Sequence, residues 1–178
     1  MTESRRILVT GASGFLGSHV AEALRKAQDV EVLAAQRRPS MQHRAEIIRH
    51  LSPTTDWRDA LTGVSTVIHC AARAHILKEE AANAEALFHT TNADATLNLA
   101  QQAAEQGVQR FIFLSSIGVN GQTTGTQPFT TESAPQPANC YARSKLAAEK
   151  GLAAMQQTTG MDVVGIRPPL IYGTGAPG

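Results

Sequence analysis

The sequence predicts an α/β protein built on a doubly wound parallel sheet with helices on both faces. Three observations predict it. Short β-branched runs alternate with segments whose apolar residues recur three to four apart. The strand-like runs are continuously apolar rather than alternating, as expected of strands buried on both sides. Glycines 11, 14 and 17 stand where the first strand should hand over to the first helix.

Ile7-Leu8-Val9-Thr10 is the first strand, ended by Gly11. The helix after it spaces Phe15, Leu16, Val20, Ala23, Leu24 and Ala27 for one face. Val30 to Ala35 is a second strand, closed by Gln36-Arg37-Arg38-Pro39. Ile47, Ile48 and Leu51 suggest a weak third, and Asp56 is placed to cap a short helix through Leu61. Val64 to Ala72 contains a buried strand around Thr66-Val67-Ile68-His69-Cys70. Residues 81 to 106 read as one long helix or two in tandem, with Leu87, Phe88, Ala95, Leu99 and Ala103 inward, stopped by Gly107. Phe111-Ile112-Phe113-Leu114 is the next strand. Residues 118 to 137, rich in Gly, Thr, Gln and Pro, form an extended loop. Residues 138 to 158 form the last helix, with Leu146, Ala147, Leu152 and Met155 inward. Val163-Val164-Gly165-Ile166 is the last strand, cut by Arg167-Pro168-Pro169.

A chain of 178 residues is expected to be one domain, and 42% hydrophobic residues exclude a disordered tail. Sixteen Lys and Arg against fifteen Asp and Glu give +1, so bulk charge calls for neither nucleic acid nor an anionic membrane. No apolar run is long enough to span a bilayer and no charged-then-apolar leader opens the chain. Cys70 and Cys140 make no disulfide framework, which suits a reducing compartment, and the six histidines lack metal-ligand spacing. These features predict a soluble cytoplasmic protein without a metal.

Gly11-Ala12-Ser13-Gly14-Phe15-Leu16-Gly17 has chemistry suited to a dinucleotide. Gly11 allows the sharp turn, Gly14 lets a pyrophosphate approach the backbone, and Gly17 lets the helix pack close to the sheet. The helix N-terminus then faces the phosphates. No Gly-Lys-Ser/Thr follows, so this is not a P-loop. NAD sites place an acidic residue at the end of the second strand. Here Gln36, Arg37 and Arg38 offer no carboxylate and two guanidiniums suited to a 2′-phosphate, so NADP is favoured over NAD.

Tyr141 and Lys145 lie one helical turn apart on one face. A nearby ammonium lowers a phenol's pKa, so this pair suits proton exchange with a substrate oxygen while a nicotinamide exchanges hydride. A hydroxyl should hold the same oxygen. Ser116, at the end of the fifth strand, is the better candidate and Ser115 the other. Arg73 and His75 follow the fourth strand at the ligand edge and are candidates for substrate contact. His69 reads as a satisfied core residue.

Together these residues resemble the extended short-chain dehydrogenase/reductases, the NAD(P)-dependent sugar-nucleotide epimerases, dehydratases and reductases. The matching pieces are the glycine turn, Val67 to Ala72, Asn92, Leu114-Ser115-Ser116, Tyr141-Ala142-Arg143-Ser144-Lys145 and Arg167 to Gly173. The resemblance implies a Rossmann domain spanning residues 1–178. Tyr141 would be the acid/base, with Lys145 lowering its pKa and holding the nicotinamide ribose, and Ser116 would orient the substrate. Gly11, Ser13, Gly14, Phe15, Leu16, Gly17, Arg37, Arg38, Ala71, Ala72, Ser115 and Pro168 would border the cofactor, with Tyr141 and Lys145. Asn92 would be the asparagine supporting that site. Residues 71–75 and the Arg167-Pro168-Pro169 end look closest to bacterial UDP-N-acetylhexosamine 4-epimerases and 4-ketoreductases of polysaccharide synthesis.

Some positions depart from the family pattern. His50 stands where an aspartate often holds the adenine, Asn120 replaces the tyrosine of a Val-Tyr-Gly, and Ile117-Gly118 replaces the Asp-Glu of the dehydratases. Dehydratase chemistry is therefore not expected. The resemblance further implies a nucleotide-sugar substrate and a homodimer through helices 81–106 and 138–158. It also implies a small substrate domain after Gly173 that this sequence lacks, hence weak turnover by this chain with cofactor binding retained. The competing reading is an NADP-binding regulatory or redox-sensing module without turnover.

Overall fold

The computed structural model describes residues 4–42, 44–74 and 81–176. Its strands are β1 (Arg5–Thr10), β2 (Val30–Gln36), β3 (Ile47–Ile48), β4 (Thr66–His69), β5 (Arg110–Leu114) and β6 (Asp162–Ile166). They form one sheet in the order β3-β2-β1-β4-β5-β6, with every neighbouring pair parallel. Its helices are α1 (Phe15–Arg25), α2 (Arg58–Leu61), α3 (Ala81–His89), α4 (Ala95–Glu105) and α5 (Cys140–Thr159). This is the expected doubly wound Rossmann architecture. The strand order reverses at β1 and β4, and such sheets bind ligands beyond the carboxyl ends of the strands at that reversal.

The two sheet faces bury different sets. Leu8, Val67, Phe111 and Phe113 point to one layer, where Leu99, Ala100 and Ala103 of α4 and Ala148 and Leu152 of α5 cover them. Ile7 and Val9, one residue out of phase with Leu8, join Val32 and Ala34 beneath Ala21 of α1. Phe111 and Phe113 are completely buried, and each such side chain contributes about 1.5–3 kcal/mol. The exposed pair Arg110–Asp162, which bridges β5 and β6 at 2.6 Å, adds at most about 1 kcal/mol. Packing, not surface charge, holds this sheet. On the α1 side, Val164 and Ile166 of β6 remain 37% and 43% exposed.

Three details correct the sequence-based expectation. In α1 the buried residues are Gly17, Ser18 and Ala21, because only small side chains fit where the helix meets the sheet. The larger Phe15, Leu16, Val20 and Leu24 flank that line and are half-buried, while Ala23 and Ala27 are exposed. In α5 the buried line is Ala142, Ser144, Lys145, Ala148 and Leu152, leaving Leu146, Ala147 and Met155 half-buried. The long helix is continuous from Ala81 to Glu105 but carries a π-helical turn at Thr90–Asp94. Phe88 is buried and Leu87 is 43% exposed, since Leu87 lies about 100° round the helix from Phe88 and falls on its outer face.

The glycine turn sets how closely α1 meets the sheet. Gly11 has φ +70°, and a Cβ there would lie 2.6 Å from the Ala71 nitrogen. A Cβ on Gly17 would lie 2.2 Å from the Gly11 carbonyl oxygen, backbone against backbone. Gly17→Ala must therefore push α1 off the sheet. The expected cost is about 3 kcal/mol, a fall in Tm of roughly 10 °C, read by urea and thermal unfolding. An unchanged Tm would contradict this packing.

Candidate active site

A cleft of about 520 Å³ opens at the carboxyl ends of β1, β2 and β4. Thr10, Gly11, Ser13 and Gly14 form one wall, and Cys70 to Ala74 form another. Gln36, Arg37, Arg49, His50, Leu51 and Trp57 close the end beside β2. Among the described residues its lining contains no carboxylate. These residues fit a dinucleotide. The turn is bare backbone, with Gly14 capping α1 without a side-chain bond, so the first N–H groups of the helix are available to an anion. The buried Trp57 Nε1 has no hydrogen-bond partner among the described residues, an unused donor in the cleft lining.

Tyr141 and Lys145 sit on the first turns of α5, whose start is fixed by Asn139, its Oδ1 accepting the Ala142 N–H at 2.8 Å. Lys145 is 1% exposed. Its Nζ donates to the Leu114 carbonyl at 2.6 Å, lies 4.5 Å from the centre of the Phe113 ring and 5.8 Å from that of Tyr141. Burial lowers its pKa to about 8, partly offset by Cys70 and Glu149. Burial raises the Tyr141 phenol. This differs from the expectation that Lys145 lowers it: here the ammonium is spent on the Leu114 carbonyl. The Cys70 thiol is also pushed up by burial, to about 11, and is neutral at pH 7.

Ser116 and Ser115 take different roles. Ser116 Oγ accepts the Gly118 N–H at 3.1 Å, leaving its hydrogen to donate, and the residue is half-buried. Ser115 is 4% exposed, its N–H bound to the Ile166 carbonyl at 2.7 Å and its Oγ without a partner among the described residues. Pro168 lies beside them, its carbonyl accepting the Ile117 N–H at 3.0 Å.

Asn92 occupies the π-helical turn and is 1% exposed. Its Oδ1 accepts the Arg73 N–H at 2.7 Å, while its Nδ2 donates to the Arg73 carbonyl and to Ser144 Oγ, both at 3.0 Å. It thus supports the loop that lines the cleft instead of facing the cleft. Ser144 Oγ donates on to the Tyr141 carbonyl at 2.8 Å.

Of the residues expected at a cofactor, Gly11, Ser13, Gly14, Arg37, Ala71 and Ala72 line this cleft. Phe15 and Leu16 open α1 beside it. Gly17 packs beneath the turn, and Arg38 is exposed next to Arg37. Arg73 lines the cleft, while His75 lies outside the described residues. Sequence reasoning missed Trp57, Arg49 and Thr91 in the lining. The single tryptophan beside Asp56 was the one available signal. It also missed the work of Asn120, whose Oδ1 accepts from Arg167 at 3.1 Å while Arg167 pairs with Glu149 at 2.5 Å. That pair anchors the chain after β6 to α5. Among the described residues no three His, Cys, Asp or Glu side chains gather as a metal site, and no described helix is long and apolar enough to cross a membrane.

Residues 7–178 match the NAD dependent epimerase/dehydratase family, and the chain belongs to it. It is 38% identical over 174 residues to a UDP-glucose 4-epimerase of Vibrio cholerae, covering 96% of this chain and 53% of that protein. It is 30% identical to a human sterol-4-alpha-carboxylate 3-dehydrogenase, decarboxylating, covering 96% of this chain and 46% of the relative. A short-chain dehydrogenase/reductase superfamily protein of Agrobacterium tumefaciens, solved with bound NAD, superposes with a TM-score of 0.80 at 30% identity, covering 92% of this chain and 48% of that one. The chain therefore spans about half the length of these relatives.

The two buried bases give the protein a distinctive pH profile. His69 is completely buried, and burial, with Lys145 nearby, holds its pKa down at about 3. Between about pH 6.5 and 3 the unfolded chain binds a proton there that the folded chain refuses, so stability falls as pH falls. Glu31 and Asp59, held down by arginines, contribute only below their usual range near 4.5. The window from 6.5 to 4.5 is thus expected to reflect His69. Lys145 acts at the other end. Its folded value of about 8 lies below the unfolded 10.5, so stability rises from pH 8 to about 9, above which the Cys70 thiol, held up at about 11 in the fold against 9.0 unfolded, opposes the rise. Urea midpoints should show both limbs. His69→Gln should flatten the lower and Lys145→Met the upper; limbs unmoved by these changes would contradict the burial of both groups.

Proposed function

We propose that this chain carries the cofactor half and acid/base of an enzyme that transfers hydride at a ring carbon of a UDP-hexose, in cell-surface polysaccharide synthesis in the cytoplasm. The observation that carries this reading is the placement of Tyr141 and Lys145 on one face of α5, with Lys145 tied to the end of β5 where Ser116 stands. A nicotinamide dinucleotide, when bound, supplies the hydride donor and acceptor. The Tyr141 phenol, kept protonated at neutral pH by burial, gives its proton to the carbonyl oxygen of a keto sugar and takes it back from the hydroxyl in the reverse direction. Ser116 Oγ, with its lone pair on the Gly118 N–H, directs its hydrogen to the same oxygen. Lys145, once released from the Leu114 carbonyl, would hold the ribose and, close to the phenol, favour the phenolate. Ser115 and Pro168 would border the nicotinamide end, and Arg73, in the cleft lining, would meet substrate.

The likeness to the Vibrio cholerae protein supports a 4-epimerase. Arg37 and Arg38, with no carboxylate among the described residues of the cleft lining, support NADP and hence a 4-ketoreductase using exchangeable NADPH. Leu87, exposed on α3, supports a homodimer through α3, α4 and α5. Arg37→Asp should reverse a preference for NADPH over NADH by tenfold or more in titration calorimetry; a wild type that prefers NADH overturns the NADP reading. Stoichiometric protein incubated for hours with dinucleotide and UDP-glucose or a UDP-4-keto sugar, followed by proton NMR, should form an epimer or a reduced sugar slowly, and Tyr141→Phe should cut the rate at least a hundredfold. Tight dinucleotide binding with no sugar conversion would favour the regulatory module.

A further inference from the structure

His69 is completely buried and takes no part in the chemistry above, yet its ring is bonded at one nitrogen to Thr10, which lines the cleft, and at the other to Thr96, which bonds Asn92 behind it. Nδ1 lies 2.7 Å from Thr10 Oγ1 and Nε2 lies 2.9 Å from Thr96 Oγ1. The partners decide where the proton sits. Thr96 gives its single hydroxyl hydrogen to the Asn92 carbonyl at 2.9 Å, so its oxygen is left to accept, and Nε2 donates. Thr10 Oγ1 receives the Ala71 N–H at 3.4 Å and turns its own hydrogen to Nδ1. A neutral imidazole with the proton on Nε2 satisfies all four groups, whereas an imidazolium would leave the Thr10 hydroxyl without its acceptor. Phe111 and Phe113 flank the ring at 5.8 and 6.0 Å. Lys145 is the charged group facing it and opposes a second positive charge, and Cys70, next in the chain, is neutral.

The bonds do not stop at Thr96. Asn92 carries them to Arg73 in the cleft wall and to Ser144, which donates to the Tyr141 carbonyl. Thr10 immediately precedes Gly11. One hydrogen-bonded line therefore runs from the residue before the glycine turn to the first turn of α5. A histidine that merely filled the core would need partners, but not partners at both of these places.

We propose that His69 is a positioning residue whose Thr10–His69–Thr96–Asn92 line fixes the glycine turn and the 70–74 loop relative to Tyr141. The role in dinucleotide binding rests on the function proposed above. Thr96→Val keeps the shape of the side chain and breaks the line; Thr96→Ser keeps the hydroxyl. Thr10→Val and Thr10→Ser do the same at the other end, should Thr96→Val fail to fold. The measurements are imidazole nitrogen and backbone amide NMR on the 178-residue chain, and the dissociation constant for NADPH. The wild type and the Ser variant should show the Nε2–H tautomer without titration from pH 5 to 8, and bind NADPH within twofold of each other. A folded Val variant should move the amide signals of both Gly11 and Tyr141 and weaken NADPH binding at least fivefold. An Nδ1–H or titrating ring overturns the proposal, as does a folded Val variant that leaves either the Tyr141 amide or the affinity at the wild-type value. A wild type that binds no NADPH refutes the dinucleotide reading instead, and the imidazole and amide signals then decide the line by themselves.

Discussion

The closest constraint in this structure is the approach of Gly17 to the Gly11 carbonyl, a gap in which a Cβ would lie 2.2 Å from oxygen. It lets α1 start directly above the end of β1 and aim its unbonded N–H groups across the point where the strand order reverses. The rest of the site is arranged around that point. The β4 loop passes close enough to Gly11 that a Cβ there would strike Ala71, so the two walls of the cleft meet backbone against backbone. Such bare backbone costs stability in an empty protein, and it is the kind of surface that a phosphate group can reach.

Lys145 is a second point where stability and chemistry pull apart. An ammonium that is 1% exposed is held by one carbonyl, one aromatic face and weak charge support, and its lowered pKa records how poorly this replaces water. A methionine could fill that space without the charge. The arrangement makes sense if the ammonium is stored on the Leu114 carbonyl and has another partner to go to. Tyr141 is an ordinary buried phenol in this state, and the ammonium one turn further along α5 faces the Leu114 carbonyl.

Much of this was legible in the sequence, and the reasons are local. All six strands could be read because strands of a parallel sheet are continuous apolar runs, even the partly exposed β6 and the two-residue β3 marked by Ile47-Ile48. The glycine turn, Tyr141 and Lys145 could be read because their chemistry depends on spacing along one turn or one helix face. What escaped depends on contacts far apart in sequence. Asn92 and His69 could be read as a supporting and a core residue, but their bonds to residues 73 and 144 and to residues 10 and 96 could not, nor could the Asn120–Arg167–Glu149 group that joins three segments. The π-helical turn that aims Asn92 leaves no apolar signature, since the helix continues through it. Inward faces were misjudged where size mattered more than polarity: α1 buries Gly17, Ser18 and Ala21, and α5 buries its lysine while Leu146 stays half-exposed.

The central claim is that the cleft at β1 and β4 and the Tyr141–Lys145 pair form one cofactor site. A crystal structure of this chain grown with NADP tests it most directly. The phosphates should lie at the Gly11–Gly17 turn, the adenosine end beside Arg37, and the Lys145 ammonium should move from the Leu114 carbonyl to the nicotinamide ribose. A dinucleotide seated elsewhere, or one in the cleft with Lys145 still on that carbonyl, would contradict it.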